Sequence, residues 1–238
     1  MAATTALPAS SANATLTARL VEFNFLPSRW LHPSRADEGD PARGAHRALA
    51  ALPRVASALH RRRSATLLAA LGEDAAPVSP DAGPALPLAL AALPLLARLI
   101  RDAGTVLLGR RLRLTVLRAE VVAARDALGA DALALARGPA ATLHPGLDDA
   151  SAWLPEGAAS LPRAADTLGA GLLARAWSDA APALRRRADW KLPIEADAAP
   201  ARAASGLDAG GARDLCLLLL QRIEPAWLSL FPSPSPTR

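Results

Sequence analysis

The chain has 238 residues but only one cysteine, Cys216. A single cysteine excludes an intrachain disulfide and any zinc site built from several thiolates. Cys216 lies in the run LCLLLL, and its apolar neighbours predict a buried thiol rather than a reactive one. We therefore expect this side chain to contribute packing and no chemistry.

Lysine and aromatic residues are also scarce. Lys191 is the only lysine, tyrosine does not occur, and aromatic residues make up 3% of the chain. Few groups therefore titrate between the histidines and the arginines, and a formal net charge of +5 is enough to give a sequence pI of about 10.9. Because the charge itself is modest, the high pI does not by itself indicate a nucleic-acid-binding protein.

Residues that favour β-strands are few. Hydrophobic residues are 51% of the chain, and much of this fraction is alanine and leucine, which are good helix formers. The composition predicts an all-α fold, and the length suffices for a single compact multi-helix domain. We expect a mobile segment at residues 1–18, a helical domain at 19–231 and a disordered tail at 232–238.

A secretory leader and a membrane span are not expected. The N-terminal residues lack a charged segment followed by an apolar one. The apolar run at residues 82–97 is short for a span and contains three prolines, so it predicts a loop followed by a buried helix. These features favour a cytoplasmic protein with no direct membrane insertion.

Apolar residues recur at helical spacing in several segments, namely residues 45–71, 88–136, 160–177 and 212–231. In the third segment, the residues expected to face the core are Leu161, Ala165, Leu168, Leu172 and Trp177. Loops rich in glycine and proline are predicted at residues 72–87 and 196–211. Gly104 and Gly109 predict a close helix approach or a bend, and Asp208 predicts the N-cap of the last long helix.

The motifs of common enzymes are missing from the sequence. The four histidines have no partner at metal-ligand spacing, and there is no phosphate-binding glycine loop or nucleophile motif. We therefore expect no enzyme activity, no cofactor and no metal. One catalytic alternative stays open, in which His144, Asp148 and Asp149 converge from loops into a pocket.

Arginines form clusters at residues 61–63, 109–113 and 185–187. Such clusters fit either a surface for an anionic partner or the solvated face of amphipathic helices. The alternative function that they support is a helical nucleic-acid-associated regulator, which requires one contiguous basic face. Aromatic residues do not alternate with the arginines, which disfavours stacking on nucleic-acid bases.

The stretch FNFLPSRWLHPS, residues 23–34, holds two of the three phenylalanines and one of the five tryptophans. Two interpretations of this concentration are open. In the first, the aromatic side chains fill gaps in an Ala/Leu core, which we favour for Phe23 and Phe25. In the second, Trp30 and His32 are exposed and anchor a partner.

This aromatic stretch resembles the N-terminal signature of the SctK (YscK/PscK) family of type III secretion proteins. The matching positions are Phe23, Phe25, Pro27, Trp30, Leu31 and His32. The similarity continues in the same order through residues 95–136, 188–193 and 215–231. It therefore covers most of the chain from about residue 20 onward, although no single motif in it is as specific as a metal site.

The resemblance implies a helical, non-enzymatic adaptor of the cytosolic sorting platform. Proteins of this family link the cytoplasmic domain of the inner-membrane ring protein SctD to the pod protein SctQ, which leads to the stator SctL and the ATPase SctN. The implied location is the cytoplasm at the injectisome base, peripheral to the inner membrane, and nucleic acid is not an implied partner. We expect partner contacts at Trp30, His32, Arg110, Arg111 and Arg113.

Overall fold

In the computed structural model, the described residues are 9–36 and 52–231. All regular secondary structure within them is helical, which confirms the predicted all-α class for this part of the chain. The α-helices are α1 Ala9–Phe25, α2 Pro33–Ala36, α3 Pro53–Ala70, α4 Leu86–Leu90, α5 Leu93–Leu107, α6 Gly109–Leu114, α7 Arg118–Leu128, α8 Ala130–Arg137, α9 Ala140–Leu143, α10 Leu161–Ala176, α11 Pro182–Asp189, α12 Ala199–Ala203, α13 Ala209–Ile223 and α14 Pro225–Leu228. Short 3₁₀ segments are Pro27–Arg29, Gly72–Ala75, Ser151–Trp153, Gly157–Ser160 and Ile194–Asp197.

Helix α1 covers part of the predicted mobile N-terminal segment. Residues 9–18 are helical, although their sequence is rich in alanine, serine and threonine and lacks apolar periodicity. Alanine has the highest helix propensity, so a helix anchored by its apolar C-terminal turns extends back through such a sequence. Residues 1–8 and the expected tail at 232–238 lie outside the described residues.

Proline and glycine set the ends of several helices. Pro53 occupies the first turn of α3, where its missing N–H costs no hydrogen bond. Gly129 ends α7 with a φ of +91°, a backbone conformation that glycine adopts without strain at the end of a helix. The helix predicted at residues 212–231 is interrupted, because α13 ends at Ile223 and Pro225 begins a separate turn, α14.

The two predicted loops differ in how much structure they contain. Residues 76–85, in the first, form no helix. The loop predicted at residues 196–211 instead contains the short helix α12. At its end the Asp208 carboxylate accepts a hydrogen bond of 2.7 Å from the backbone N–H of Gly211, which confirms the predicted N-cap of α13.

The chain divides into two compact units. Unit 1 comprises residues 1–93, 180–192 and 224–238, and unit 2 comprises residues 94–179 and 193–223. Each unit is therefore assembled from segments that are distant in the sequence. The expectation of a single domain stays a prediction.

Unit 1 is organised around the short buried helix α4, which packs on α1 and α11. The 3₁₀ segment Pro27–Arg29 packs on α1 and α3. The buried apolar side chains of this unit include Phe23, Trp30, Leu31, Val78, Leu86, Leu88, Leu90, Leu184, Leu192 and Trp227. Most of the aromatic stretch thus belongs to the core of unit 1.

Unit 2 is organised around α10, which contacts α7, α12 and α13. Its predicted core-facing residues, from Leu161 to Trp177, are all buried. A Cβ atom added at Gly104 of α5 would lie 1.8 Å from the carbonyl oxygen of Ala165, and one at Gly169 would lie 1.8 Å from that of Ile100. Helices α5 and α10 therefore meet backbone to backbone, as the close approach predicted at Gly104 requires.

The apolar run at residues 82–97 forms α4 and the first turn of α5. Leu88, Leu90 and Leu96 from this run are almost completely buried, which confirms the predicted buried helix. Among the helices of the described residues, none combines the length and the apolar character that crossing a membrane requires.

Candidate functional site

The aromatic stretch provides mostly core side chains rather than a binding surface. Phe23 is 1% exposed and Trp30 is 5% exposed. The interpretation of Trp30 as an exposed partner anchor is therefore corrected, because an anchor must present its ring to solvent before it binds. The expectation that Phe25 packs in the core is also wrong, since it is 55% exposed. Side chains two residues apart on a helix point about 200° apart, so burial of Phe23 turns Phe25 outward.

The two buried rings enclose the only lysine of the chain. Lys191 is 1% exposed, and its Nζ lies 4.6 Å from the ring centroid of Trp30 and 5.8 Å from that of Phe23. The amine also donates hydrogen bonds to the carbonyl oxygens of Ala89 and Ala91. This arrangement satisfies the buried amine and ties the segment after α11 to the C-terminal end of α4.

The sequence does not mark Lys191 as a core residue, and its one distinguishing feature there is its uniqueness in a chain that otherwise uses arginine. Burial lowers the pKa of the Lys191 ammonium well below its usual range, and the nearby Arg19 guanidinium lowers it further. A lysine with a lowered pKa is a candidate nucleophile. Because the amine is enclosed by the core, a substrate cannot reach it, so its role is in the fold.

His32 is partly exposed, and its backbone N–H donates to the carbonyl oxygen of Trp190 at 2.9 Å. Its ring Nδ1 accepts a hydrogen bond of 3.2 Å from the backbone N–H of Ser34. His32 therefore caps the short helix α2. A partner contact through the remaining exposed part of this ring stays a prediction.

A second polar cluster in unit 1 joins the aromatic stretch to α3. The hydroxyl of Ser28 donates to the backbone carbonyl of His60 at 2.9 Å and lies 3.0 Å from the Nδ1 of the same residue. Ser64 donates its hydroxyl proton to Ser28 at 2.9 Å. Burial and the nearby Arg29 and Arg63 guanidinium groups lower the pKa of His60. A serine beside a neutral histidine resembles a nucleophile–base pair, but here the serine proton is used by a backbone carbonyl.

Unit 2 contains a groove of about 500 Å³, formed by α6, α7 and the loop at residues 147–158. Its buried apolar lining includes Leu112, Ala124, Leu147 and Leu161. Its charged lining residues are Arg110, Arg111, Glu120, Asp148 and Asp149. We call it the α6–α7 groove. It brings together two of the residues predicted to bind a partner, Arg110 and Arg111.

The three predicted arginines of α6 have different roles. Arg110 forms an ion pair with Asp148, and Arg113 donates a hydrogen bond of 2.9 Å to the carbonyl oxygen of Pro145. Arg111 is exposed and has no ion pair with any residue of the described ranges. Arg111 is therefore the member of this cluster that is available to a partner, while Arg110 and Arg113 hold the groove wall in place.

An apolar surface adjoins the groove where α6 ends and α7 begins. Leu114 is 65% exposed, Val116 is 82% exposed and Leu117 is 62% exposed. Leu114 also lines the groove, so the surface and the groove are continuous. We call Leu114, Val116 and Leu117 the apolar patch. Three large apolar side chains exposed within four residues are unusual for a surface that only meets water.

The catalytic alternative requires His144, Asp148 and Asp149 to converge. His144 is buried, with its Nδ1 accepting a hydrogen bond of 3.0 Å from the backbone N–H of Gly146 and its Nε2 lying 3.2 Å from the carbonyl oxygen of Ser205. It does not line the groove, whereas Asp148 and Asp149 do. The predicted convergence is therefore wrong, because the imidazole is directed to backbone groups of its own loops.

The arginine cluster at residues 185–187 is not a uniform solvated face. Arg187 is 2% exposed and donates hydrogen bonds to the backbone carbonyls of Asp74, Ala75 and Ala183. Arg186 pairs with the Asp74 carboxylate at 3.0 Å. These contacts fasten α11 to the 3₁₀ segment Gly72–Ala75, and they leave Arg187 inaccessible to a phosphate group.

Cys216 is completely buried, and burial raises the pKa of its thiol, as the apolar run around it predicts. Within residues 9–36 and 52–231, no three His, Cys, Asp or Glu side chains lie close enough together to hold a metal ion. The α6–α7 groove with its apolar patch is thus the strongest candidate site in the described chain. Comparisons with protein-family models, with curated proteins and with solved structures found no match to this chain.

Proposed function

We propose that this chain is a non-enzymatic adaptor of a type III secretion sorting platform, acting in the cytoplasm at the injectisome base. It would link the cytoplasmic domain of an SctD-like ring protein to an SctQ-like pod protein, and through the latter to SctL and the SctN ATPase. The proposal starts from the resemblance of residues 23–34 and three later segments to the SctK family. The observation that carries it is the α6–α7 groove with its apolar patch.

An exposed apolar patch beside a groove favours a protein partner. Removing such side chains from water is the main favourable contribution to protein association. Polar groups at the rim then set register and orientation more than affinity. The patch begins at the last residue of α6 and continues through the connection to α7, so a helix anchors it at each end, which suits a protein whose work is to place other proteins.

Unit 1 offers a second exposed apolar surface, which an adaptor needs. Val21 is 49% exposed and Phe25 is 55% exposed. They are four residues apart on α1 and therefore lie on the same helix face. Each unit thus has its own exposed apolar surface, and this division supports a protein that contacts two different partners.

Bridging is the property that tests the proposal. An SctD-like cytoplasmic domain from the same genome is immobilised, and an SctQ-like protein is passed over it with and without this chain. We expect the SctQ-like protein to be retained only when the chain is present. A chain that captures neither partner, with both partners shown to be folded, would overturn the proposal.

The alternative of a nucleic-acid-associated regulator is tested in parallel with a labelled DNA duplex at low salt. Non-specific binding to DNA weakens steeply as salt increases. We expect no binding, because the charged lining of the groove includes Glu120, Asp148 and Asp149 beside the arginines. Salt-sensitive binding of the duplex would support the regulator instead of the adaptor.

A further inference from the structure

Two exposed arginines flank the apolar patch. Arg111 lies three residues before Leu114 and so shares its face of α6. Arg118 directly follows Leu117 at the start of α7. Both arginines are exposed, and neither forms an ion pair with a described residue. The surface therefore combines an apolar centre with positive charge at both ends, and its natural complement is apolar with flanking carboxylates.

The secondary structure of the surface indicates what shape of partner segment fits. Residues 9–36 and 52–231 contain no β-strand, so they offer no sheet edge to which an extended peptide could add. The walls of the groove are instead the helices α6 and α7 and a loop. An amphipathic helix lying in a groove is the recognition mode that such walls support.

An anionic lipid surface is the other partner that exposed apolar and basic residues attract. The groove opposes this, because Glu120, Asp148 and Asp149 lie along the same lining. Asp149 is exposed, and hydrogen bonds from the side chain and from the backbone N–H of Ser151 lower the pKa of its carboxyl group, which keeps it ionised. Negative lipid headgroups would be repelled by these carboxylates, whereas a helix can place its own charges selectively.

We propose that the α6–α7 groove receives one amphipathic helix of a partner protein. The apolar face of that helix covers Leu114, Val116 and Leu117, and its acidic side chains pair with Arg111 and Arg118. The inference rests on the proposed function for the identity of the partner, which is the SctQ-like or the SctD-like protein. The chemistry of the helix follows from the surface alone.

Two synthetic helical peptides test the chemistry with the full chain. Both carry the same leucine face, and their polar faces carry glutamate in one and lysine in the other. Binding is followed by fluorescence anisotropy at low salt. We expect the glutamate peptide to bind at least about tenfold more tightly than the lysine peptide, since charge complementarity selects between them.

Paired variants of the chain locate the binding surface. Val116→Asp/Leu117→Asp should weaken binding of the glutamate peptide at least about tenfold, and Leu218→Asp, at a leucine of α13 that is 56% exposed, should change it less than about twofold. Arg111→Glu/Arg118→Glu should weaken the glutamate peptide and strengthen the lysine peptide. Arg98→Glu/Arg163→Glu makes the same change in net charge away from the groove and should do neither. Circular dichroism checks that each variant is folded.

Several results would overturn the inference. These are no binding of the glutamate peptide, equal binding of the two peptides, or binding that Val116→Asp/Leu117→Asp leaves unchanged. A lipid surface would be identified instead if the wild-type chain bound vesicles of phosphatidylglycerol and phosphatidylcholine but neither peptide, and if Val116→Asp/Leu117→Asp abolished the vesicle binding.

The bridging experiment separates this inference from the proposed function. If the wild-type chain bridges the two partner proteins and Val116→Asp/Leu117→Asp bridges them equally well, the groove inference is wrong and the adaptor proposal stands. If the wild-type chain captures neither partner but the peptide results hold, the adaptor proposal is wrong and the helix-binding groove stands.

Discussion

Trp30 is a core residue, and its substitution should therefore affect folding before it affects any partner. Trp30→Ala should lower the free energy of unfolding by about 3–5 kcal/mol, as expected for loss of a buried tryptophan. Trp30→Phe should cost less, because the buried Nε1 has no hydrogen-bond acceptor among the described residues and nothing is lost with it. Urea denaturation followed by circular dichroism measures both.

The exposed Phe25 provides the control for this prediction. Phe25→Ala should change the free energy of unfolding by less than about 0.5 kcal/mol, since surface substitutions have small effects. If Trp30→Ala were as mild as Phe25→Ala, Trp30 would not be a structural residue in solution.

Lys191 should make the stability of the protein depend on pH in the alkaline range. Its pKa in the folded state lies well below the value of 10.5 that applies to the unfolded chain. Between these two pKa values the unfolded state binds one more proton than the folded state, so the free energy of unfolding rises with pH, by up to about 1.4 kcal/mol per pH unit. Lys191→Met should remove this rise, as denaturation from pH 8 to pH 10 would show.

Cys216 titrates in the same range with the opposite sign. Burial raises its pKa in the folded state, so the unfolded state loses the thiol proton first, and the free energy of unfolding falls as the pH rises through 9.0, the unfolded value. Both proteins in the comparison should therefore carry Cys216→Ala. Tyrosine is absent from the chain and adds no titration. Identical pH profiles with and without Lys191 would contradict the prediction.

The burial of Lys191 depends on long-range contacts, which the sequence around a single residue does not predict. Lys191 directly follows ALRRRADW, and the composition of this segment does not distinguish a buried side chain from a solvated one. Its acceptors, Ala89 and Ala91, lie about a hundred residues earlier, and they are backbone groups with no sequence signature. A long-range contact of this kind is fixed by the packing of α4 and not by local composition.

At the scale of helices, the contact between α5 and α10 depends on glycine. Gly104→Ala should lower the free energy of unfolding by about 3 kcal/mol or more, because the added methyl group meets a backbone carbonyl that cannot move aside. Thermal unfolding measured by circular dichroism would show the loss as a lower Tm.

A second glycine in a helix serves as the control. A Cβ atom added at Gly210 of α13 would lie 3.7 Å from its nearest neighbour, the Asp208 carboxylate. Gly210→Ala should therefore be neutral or stabilise the protein by up to about 1 kcal/mol through helix propensity. Equal destabilisation by both substitutions would show that α5 and α10 are not in close contact.

Helix positions were more predictable than helix ends. The spacing of Leu161, Leu168 and Leu172 predicts one buried face, and α10 buries all three. The expected long helix at residues 212–231 is broken by Pro225, and α1 extends further towards the N-terminus than its apolar residues indicate. The helix propensities of single residues decide where these helices begin and end, and the spacing of apolar residues contains no information on them.

At the scale of the whole molecule, unit 1 should not fold from its first segment alone. A fragment of residues 1–93 lacks Lys191, which donates to carbonyl oxygens at the C-terminal end of α4, and Trp227, whose Nε1 donates to the carbonyl oxygen of Pro87 at 3.0 Å. We expect this fragment to lose helix gradually with urea, while the full chain unfolds cooperatively. A sharp transition in the fragment would contradict the division into discontinuous units.

The candidate site was predicted only in part, because it too is assembled from separate segments. The cluster at residues 109–113 identifies Arg110 and Arg111. The opposite wall comes from the loop at residues 147–158, and the sequence of this loop indicates turns but no binding site. Exposure of Leu114 could not be predicted either, since an apolar face is normally covered and only the tertiary structure shows that no residue of the described ranges covers this side chain.

The enclosed lysine also has a practical consequence for mapping the assembly. Reagents that couple to primary amines, such as the succinimidyl esters used for cross-linking, labelling and surface attachment, find no accessible lysine side chain in the folded chain. A contact made through this protein would leave no lysine cross-link even when the partner is correctly bound. Cross-linking reagents that react with carboxylates or with arginines would detect such a contact.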